Sequence, residues 1–221
     1  MPTITCILLF LACYLLGGVP FGLLLGRLKG LDIRQHGSGN IGATNVGRVC
    51  GRGWGICCFI LDGGKGLLAV LVAIGLAPRL QLEPDVAGIT AAAGTVVGHI
   101  FSVYLKFKGG KGVATAAGAM LGLAPWAILI GLAVWLVVLA IWRYVGLASI
   151  AAAVALPLAA LALNQAGRGP LLSPPVVIVL AMLATLTVVR HKSNIRRMLA
   201  GTEPKLGQTR KEAAAHEDRG A

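Results

Sequence analysis

Charged residues are scarce in this sequence, and acidic residues are the scarcest of them. Only 13% of the 221 residues are charged, and eight Asp and Glu stand against 20 Lys and Arg. An average soluble domain carries about 25% charged residues. Because 57% of the residues are hydrophobic and the mean hydropathy is +0.82, the composition excludes an ordinary soluble domain and predicts a protein of the lipid bilayer.

Several motifs of enzyme chemistry are also missing. The five cysteines are odd in number and lack zinc-site spacing, so we interpret them as small buried apolar residues. No serine lies in a G-x-S-x-G elbow, and no histidine is followed by Asp five residues later, so the H-x4-D signature of the large acyltransferase superfamily is absent. We therefore expect no metal ion, no cofactor and no obvious general base.

The net charge of +12 does not indicate a nucleic-acid-binding protein. The basic residues occupy short breaks between apolar runs rather than one continuous face. We expect anionic membrane lipids and a phosphate-bearing substrate as their partners. The alternative is that many of these charges serve only to orient the chain in the membrane.

Six apolar runs are candidates for membrane spans, which need roughly 20 apolar residues. They are Thr3–Leu25, Gly53–Ala77, Val86–Leu105, Val113–Trp142, Leu147–Leu163 and Pro175–Val189. No basic residue precedes Arg27, so we expect the first run to be a retained span rather than a cleaved signal peptide. The charged, glycine-rich stretch Asp62–Gly66 is expected to interrupt the second run with a helix break.

Val113–Trp142 decides the topology, because it is too long for one span and Pro125 divides it. A single crossing would place basic segments on both sides of the membrane, against the positive-inside rule. If Val113–Leu123 instead enters and stops, 16 of the 20 Lys and Arg share one face. We predict an all-α integral membrane protein with seven membrane helices, one of them short, an outside N-terminus and a cytoplasmic C-terminus. Residues 1–208 form one polytopic domain, and 209–221 are a disordered tail.

Three basic segments, the first two of them glycine-rich, lie at the ends of these spans, and the first is Gly37–Arg48. It formally matches G-x-G-x-x-G, but a spanning helix precedes it where a dinucleotide-binding loop needs a strand. A helix is expected from about Ile41, and its free N–H groups and the Arg48 guanidinium suit phosphate oxygens. The alternative is a capped turn with a lipid-facing arginine. The candidate residues are Ser38, Gly39, Asn40, Thr44, Asn45 and Arg48.

The second segment, Lys108–Gly112, is not a P-loop, because Leu105 and Gly112 occupy the positions that need Gly and Ser or Thr. Its glycines permit a nest of backbone N–H groups, and Lys111 stands at the start of the following helix, where anions are stabilised. The alternative is a solvated basic turn. The candidate residues are Lys108, Gly109, Gly110, Lys111 and Gly112.

The third segment starts at His191, which shares a helix face with Asn194 three residues later. Asn194 can orient His191, or both can hold a substrate hydroxyl. His99 is a further candidate for substrate binding, although a lone histidine on such a helix is more often a hydrogen-bonded structural residue. Asp62 and Lys65 are also three residues apart, and we expect them to form an ion pair at membrane depth.

Five strings resemble the bacterial acyl-phosphate:glycerol-3-phosphate acyltransferase family. In the one-letter code they are SGNIGATN from Ser38, DGGKG from Asp62, GH at Gly98, KGGKGVAT from Lys108 and HKSNIRR from His191. The resemblance covers nearly the whole chain in order. The extension after Gly201-Thr202-Glu203-Pro204 is the unusual part.

The resemblance implies a multi-pass enzyme of the bacterial inner membrane with its active site on the cytoplasmic side. It would transfer a fatty acyl group from acyl phosphate to the 1-hydroxyl of glycerol 3-phosphate. The products would be lysophosphatidic acid and phosphate, in the first step of phospholipid synthesis. The enzyme that makes acyl phosphate is a further candidate partner. Independently of the resemblance, the missing protein base suggests that the substrate supplies its own: a phosphate dianion, with a pKa of about 6–7, held close to the hydroxyl.

The resemblance also implies roles for the candidate residues. Ser38, Arg48 and Lys111 would bind phosphate, and the glycines would give backbone room. The glycerol and the acyl carbonyl would be oriented by Asn40, Thr44, Asn45, His191 and Asn194. The main rival from another class is a small transporter of a phosphorylated metabolite, which needs polar groups across the full membrane depth. A membrane-anchored nucleotide binder is disfavoured by the failed P-loop.

Overall fold

The computed structural model describes residues 2–167 and 172–208, and helices are the main secondary structure in these ranges. Within them the chain forms ten α-helices and no strand. The helices are α1 (Pro2–Gly18), α2 (Phe21–Leu28), α3 (Ala43–Cys50), α4 (Arg52–Leu80), α5 (Pro84–Ile100), α6 (Val113–Leu123), α7 (Pro125–Trp142), α8 (Val145–Gln165), α9 (Pro174–Arg190) and α10 (Lys192–Leu199). The all-α prediction is confirmed, whereas the predicted tail at 209–221 lies outside the described residues.

Five spans among the described residues are long and apolar enough to cross a membrane. They are Pro2–Leu28, which joins α1 and α2, then α4, then α5 continued to Leu105, then α7 and α8. α9 and α10 add a sixth as a pair bent by 52°, and α6 is a shorter apolar helix of 11 residues. The exact number of spans and their orientation stay predictions.

The long apolar run is divided where Pro125 predicts. α6 ends at Leu123 and α7 begins at Pro125, while Ala124 between them is not helical. Proline fits the first position of a helix because its missing N–H would have no helical partner there. α6 packs along α4, so the backbone of this short helix is covered by protein at membrane depth.

The predicted break in the second apolar run is wrong. α4 continues through Asp62 and Lys65, although their predicted ion pair does form, with 2.8 Å between Lys65 Nζ and Asp62 Oδ1. The neighbouring glycines provide close packing instead, since a Cβ on Gly66 would collide with the Thr115 carbonyl of α6. In lipid an unbroken helix satisfies the hydrogen bonds of its own backbone, so glycine alone does not end the helix.

The break in the first apolar run was not predicted. α1 ends at Gly18, and Pro20 then removes a backbone donor before α2 begins. Two side chains donate hydrogen bonds to carbonyl groups at this break in the helix. Ser102 Oγ donates to the Gly18 carbonyl at 2.6 Å, and Lys65 Nζ donates to the Val19 carbonyl at 2.9 Å.

Small residues form most of the buried core. Alanines dominate the larger buried cluster, which has members on seven helices: α1, α4, α5, α6, α7, α8 and α9. On α5, a Cβ added to Gly94 would lie 2.6 Å from the Phe10 carbonyl oxygen of α1. The two backbones therefore approach closely, and such packing replaces the hydrophobic driving force that is absent between helices in lipid.

Gly94→Val is expected to push α1 away from α5 and to destabilise the protein by about 1–3 kcal/mol, the usual effect of overpacking. Thermal unfolding in detergent measures the loss. The matched control is Gly75→Val on α4, where no heavy atom lies within 4 Å of the added Cβ. Equal melting temperatures for the two variants would contradict the packing role of Gly94.

Candidate anion-binding site at the helix ends

A chain of polar contacts joins the second and third glycine-rich or basic segments. Lys111 Nζ donates to Asn194 Oδ1, and Asn194 Nδ2 donates to Glu203 Oε1 at 2.7 Å. Glu203 is only 3% exposed and pairs through its other oxygen with Arg197 Nε at 2.6 Å. The loop before α6 and the helix after α9 are therefore parts of one site.

The first segment reaches the same site through Arg48. One guanidinium nitrogen donates to the Pro204 carbonyl at 3.3 Å, next to Glu203 in the chain. Burial lowers the pKa of Arg48, and the Glu203 carboxylate opposes that shift. The predicted bidentate pair with a phosphate stays a prediction.

Asn45 organises the loop before Arg48. It is buried, and its Nδ2 lies within 3.2 Å of the carbonyl oxygens of Ile33, His36 and Asn40, while its Oδ1 accepts from the Ser38 N–H at 2.8 Å. Its role here is therefore to shape the backbone.

The helix after this loop starts later than predicted. α3 begins at Ala43 rather than near Ile41, because Gly42 is extended and donates its N–H to Asn40 Oδ1. Ser38 and Thr44 are exposed, so among the predicted residues of this segment they are accessible to a ligand.

The predicted nest in the second segment is not what the structure shows. The Gly109 N–H donates to the Ile100 carbonyl at 3.0 Å, and the Gly110 N–H donates to the His99 carbonyl at 3.1 Å. These donors are taken up by the end of α5, because the glycines pack directly on its last turn. Lys108 beside them is exposed. The segment therefore presents a cation, Lys111, on a loop that its glycines anchor.

His191 is buried where α9 meets α10, but it is not oriented by Asn194. Its Nδ1 lies 2.8 Å from the Thr187 carbonyl. Since a carbonyl only accepts, Nδ1 carries the hydrogen, and Nε2 is left as an acceptor. His99, predicted to bind substrate, lies in a different cluster, where its Nδ1 is 3.0 Å from Lys65 Nζ.

Three residues of the site were not among the predicted ones. Arg190 donates to the Gly110 carbonyl at 2.8 Å, and Arg197 and Glu203 complete the polar chain. A sequence signal for Glu203 existed, because it is one of only eight acidic residues and stands alone in a basic stretch. An isolated acid among bases indicates a specific partner.

Four basic side chains and one carboxylate set the charge of the site. Burial lowers the pKa of Lys111 to about 8. The Glu203 carboxylate opposes this shift, and the nearby charges of Arg197, Arg48 and Arg190 add to it. An excess of positive charge held partly away from water is suited to binding an anion. Among the described residues, no group of three or more His, Cys, Asp or Glu is arranged to hold a metal ion.

Comparisons with known proteins agree with this chemistry. A family model described as Glycerol-3-phosphate acyltransferase matches residues 7–201. Curated relatives of that name include one from Trichlorobacter lovleyi, 48% identical over 87% of this chain and 93% of its own. Another, from Rhodospirillum rubrum, is 45% identical over 96% of each chain.

The fold is similar to crystal structures of PlsY, an integral membrane glycerol 3-phosphate acyltransferase. With the glycerol 3-phosphate form, the TM-score is 0.79 and the identity 37%, covering 91% of this chain and 96% of that chain. With the lysophosphatidic acid form, the TM-score is 0.76 and the identity 36%, covering 90% and 94%.

The pKa of Lys111 tests the charge arrangement. Glu203→Gln removes the carboxylate that raises this pKa, so we expect it to fall below the value of about 8. Arg197→Gln removes a cation that lowers it, so we expect it to rise. The rate at which a small acylating reagent modifies Lys111, followed against pH by mass spectrometry, measures both shifts. Shifts of the same sign in the two variants would contradict the arrangement.

Proposed function

The chain belongs to the glycerol-3-phosphate acyltransferase family, and from this premise we propose how it works. It transfers an acyl group to glycerol 3-phosphate and gives lysophosphatidic acid. The acyl donor is acyl phosphate, the acceptor is the 1-hydroxyl, and inorganic phosphate leaves. The observation that best supports this proposal is the meeting of four basic side chains beside the polar chain from Lys111 to Glu203, because both substrates carry phosphate.

The excess of positive charge has a definite task in this reaction. The phosphate groups of the two substrates must approach each other. Their negative charges repel strongly in a site from which water is partly excluded. Arg48 and Lys111 bind these phosphates, with Ser38 as an exposed hydrogen-bonding partner. Donors that hold the leaving phosphate and the developing oxyanion stabilise the transition state without reorganisation.

The amide and imidazole groups orient the acceptor. His191 Nε2 is the acceptor left by the bond to Thr187, so it can receive a hydrogen bond from a glycerol hydroxyl. Asn194 and Thr44 hold the glycerol and the acyl carbonyl. Asn194 bridges Lys111 and Glu203, and this bridge positions the Lys111 ammonium for the substrate phosphate.

The reaction balances without a protein base. The glycerol oxygen attacks the acyl carbon and forms the ester, and the bond between that carbon and the phosphate oxygen breaks. The hydroxyl proton passes to a substrate phosphate, whose second pKa is near 6, so a dianion is available at neutral pH. The protein positions the two substrates and stabilises charge.

We place the enzyme in the bacterial inner membrane, with seven spans, one domain over residues 1–208 and the site on the cytoplasmic side. The support is the predicted grouping of 16 of the 20 Lys and Arg on one face. The acyl chain stays in lipid and leaves sideways between helices. The enzyme that makes acyl phosphate is a partner to be expected at this face.

Purified protein in detergent is expected to release phosphate from palmitoyl phosphate only when glycerol 3-phosphate is present. Lys111→Ala should lower this release by about 10²- to 10³-fold, as the loss of one charge-stabilising group does. Lysophosphatidic acid, detected by mass spectrometry, must accumulate in equal amount. Folded protein that releases no phosphate would contradict the proposed donor. Uptake of glycerol 3-phosphate into liposomes would then support a transporter.

Arg48→Lys tests the guanidinium itself. Lysine keeps the charge but lacks the planar fork that pairs with phosphate, and it loses the nitrogen that donates to the Pro204 carbonyl. We expect activity to fall by at least about 10²-fold while membrane insertion stays normal. Arg79→Lys, at an exposed position on α4, is the matched control. Wild-type turnover by Arg48→Lys would contradict the assignment.

A further inference from the structure

An ionic cluster buried among the membrane helices has no part in the reaction described above. Lys65 Nζ lies 2.8 Å from Asp62 Oδ1, 3.0 Å from His99 Nδ1 and 2.9 Å from the Val19 carbonyl. Asp62 is 2% exposed, and Lys65 and His99 are each 4% exposed. Charges at this depth are costly, and they are normally paired or functional.

The cluster fixes both the orientation and the tautomer of His99. An ammonium group donates and never accepts. His99 Nδ1 therefore accepts from Lys65, and the ring hydrogen is on Nε2. Lys65 Nζ thus faces Asp62, His99 and the Val19 carbonyl together, and Asp62 Oδ1 also lies 3.5 Å from His99 Nδ1. The ring is therefore held by two charged neighbours of α4.

The Nε2 edge of this ring faces the Lys108–Gly112 loop. A Cβ on Gly110 would collide with His99 Nε2, and a Cβ on Gly109 would collide with the His99 carbonyl. The Gly110 N–H donates to that same carbonyl at 3.1 Å. The loop therefore rests on both the ring and the backbone of one residue.

Arg190 holds the loop by a second contact with its backbone. It donates to the Gly110 carbonyl at 2.8 Å, so both backbone groups of Gly110 are bonded to different helices. Lys111 is the next residue, and its ammonium reaches Asn194. A tilt of the His99 ring would displace Gly110, and the displacement would pass directly to Lys111.

We propose that Asp62, Lys65 and His99 are positioning residues for acyl transfer, which fix the Lys108–Gly112 loop so that Lys111 meets the substrate phosphate. This inference rests on the proposed function and replaces substrate binding as the role of His99. The cluster acts through the loop, so none of its three side chains touches substrate.

A double-mutant cycle tests whether the cluster acts through Lys111. His99→Phe keeps a ring and removes both nitrogens, and we expect kcat/KM for glycerol 3-phosphate to fall by about 10²-fold, as a displacement of about 1 Å can cause. In a Lys111→Ala background the same change should cause little further loss, because the group that it positions is gone. Losses that multiply in the double variant would overturn the proposal.

A matched control separates positioning from general damage to α5. Thr95 is buried one turn before His99, and its side chain contacts neither the loop nor His99: the hydroxyl donates to the Ala91 carbonyl at 2.6 Å and also interacts with Cys13 of α1. Thr95→Val removes a buried polar group of α5 without touching the loop. We expect its kcat/KM to equal that of the wild type. A loss as large as that of His99→Phe would also overturn the proposal.

Amide hydrogen exchange of residues 106–112 gives a readout that needs no activity. His99→Phe should speed exchange in this loop, and Thr95→Val should not. A second variant, Asp62→Leu with Lys65→Met, removes both charges together and so leaves no unpaired charge in the membrane. It should speed the same exchange while keeping its melting temperature. Unchanged exchange in both variants would overturn the positioning role, whereas inactive wild-type protein would count only against the proposed function.

Discussion

A single buried carboxylate allows the basic groups of the site to stay close together. Glu203 accepts from Asn194 and Arg197, and it opposes the lowering of the pKa values of Lys111 and Arg48 by burial. Without this charge, four cations would repel one another in a partly dehydrated place. With it, the site keeps an excess of positive charge that suits an anion. The carboxylate thus makes the site compatible with folding and still attractive to anions.

The glycine residues are the second requirement of the structure, because their small size, rather than their flexibility, lets backbones approach closely. Gly66 admits the backbone of α6, Gly94 admits that of α1, and Gly109 and Gly110 lie on the end of α5. Helices in lipid gain little from burying apolar surface against each other, so close backbone approach is a main source of their packing energy. The same approach brings the loop of Lys111 within reach of the end of α9. Packing and site geometry therefore depend on the same residue type.

Patterns in the sequence were sufficient for the helical membrane fold and for the three segments that meet around Lys111. Apolar length predicted the long helices, Pro125 predicted the start of α7, and spacing predicted the ion pair of Asp62 and Lys65. The continuity of α4 was mispredicted because a glycine-rich, charged stretch breaks helices in water, whereas in lipid the backbone must bond to itself.

What the sequence could not reveal depends on contacts between distant segments. The contact of Arg190 with Gly110 joins positions 80 residues apart, and no local pattern encodes such a separation. His99 was expected to bind substrate because it stands close in sequence to Lys111. In the structure its ring is bonded to Lys65 on another helix. Segments rich in glycine and basic residues indicate where an anion-binding site is. They do not indicate which side chains contact the anion and which ones only hold the contacting side chains in place.

The order of these segments along the chain has a consequence for biosynthesis. Arg48 follows the first span, Lys111 lies midway, and Glu203 comes after the last described helix. The ribosome therefore synthesises Arg48 and Lys111 well before Glu203, the carboxylate that lies beside them in the folded protein. During insertion the early loops must remain apart, each neutralised by water or lipid head groups. The polar contacts from Lys111 to Glu203 can form only when the final helix docks, so a partly inserted chain lacks the complete cluster.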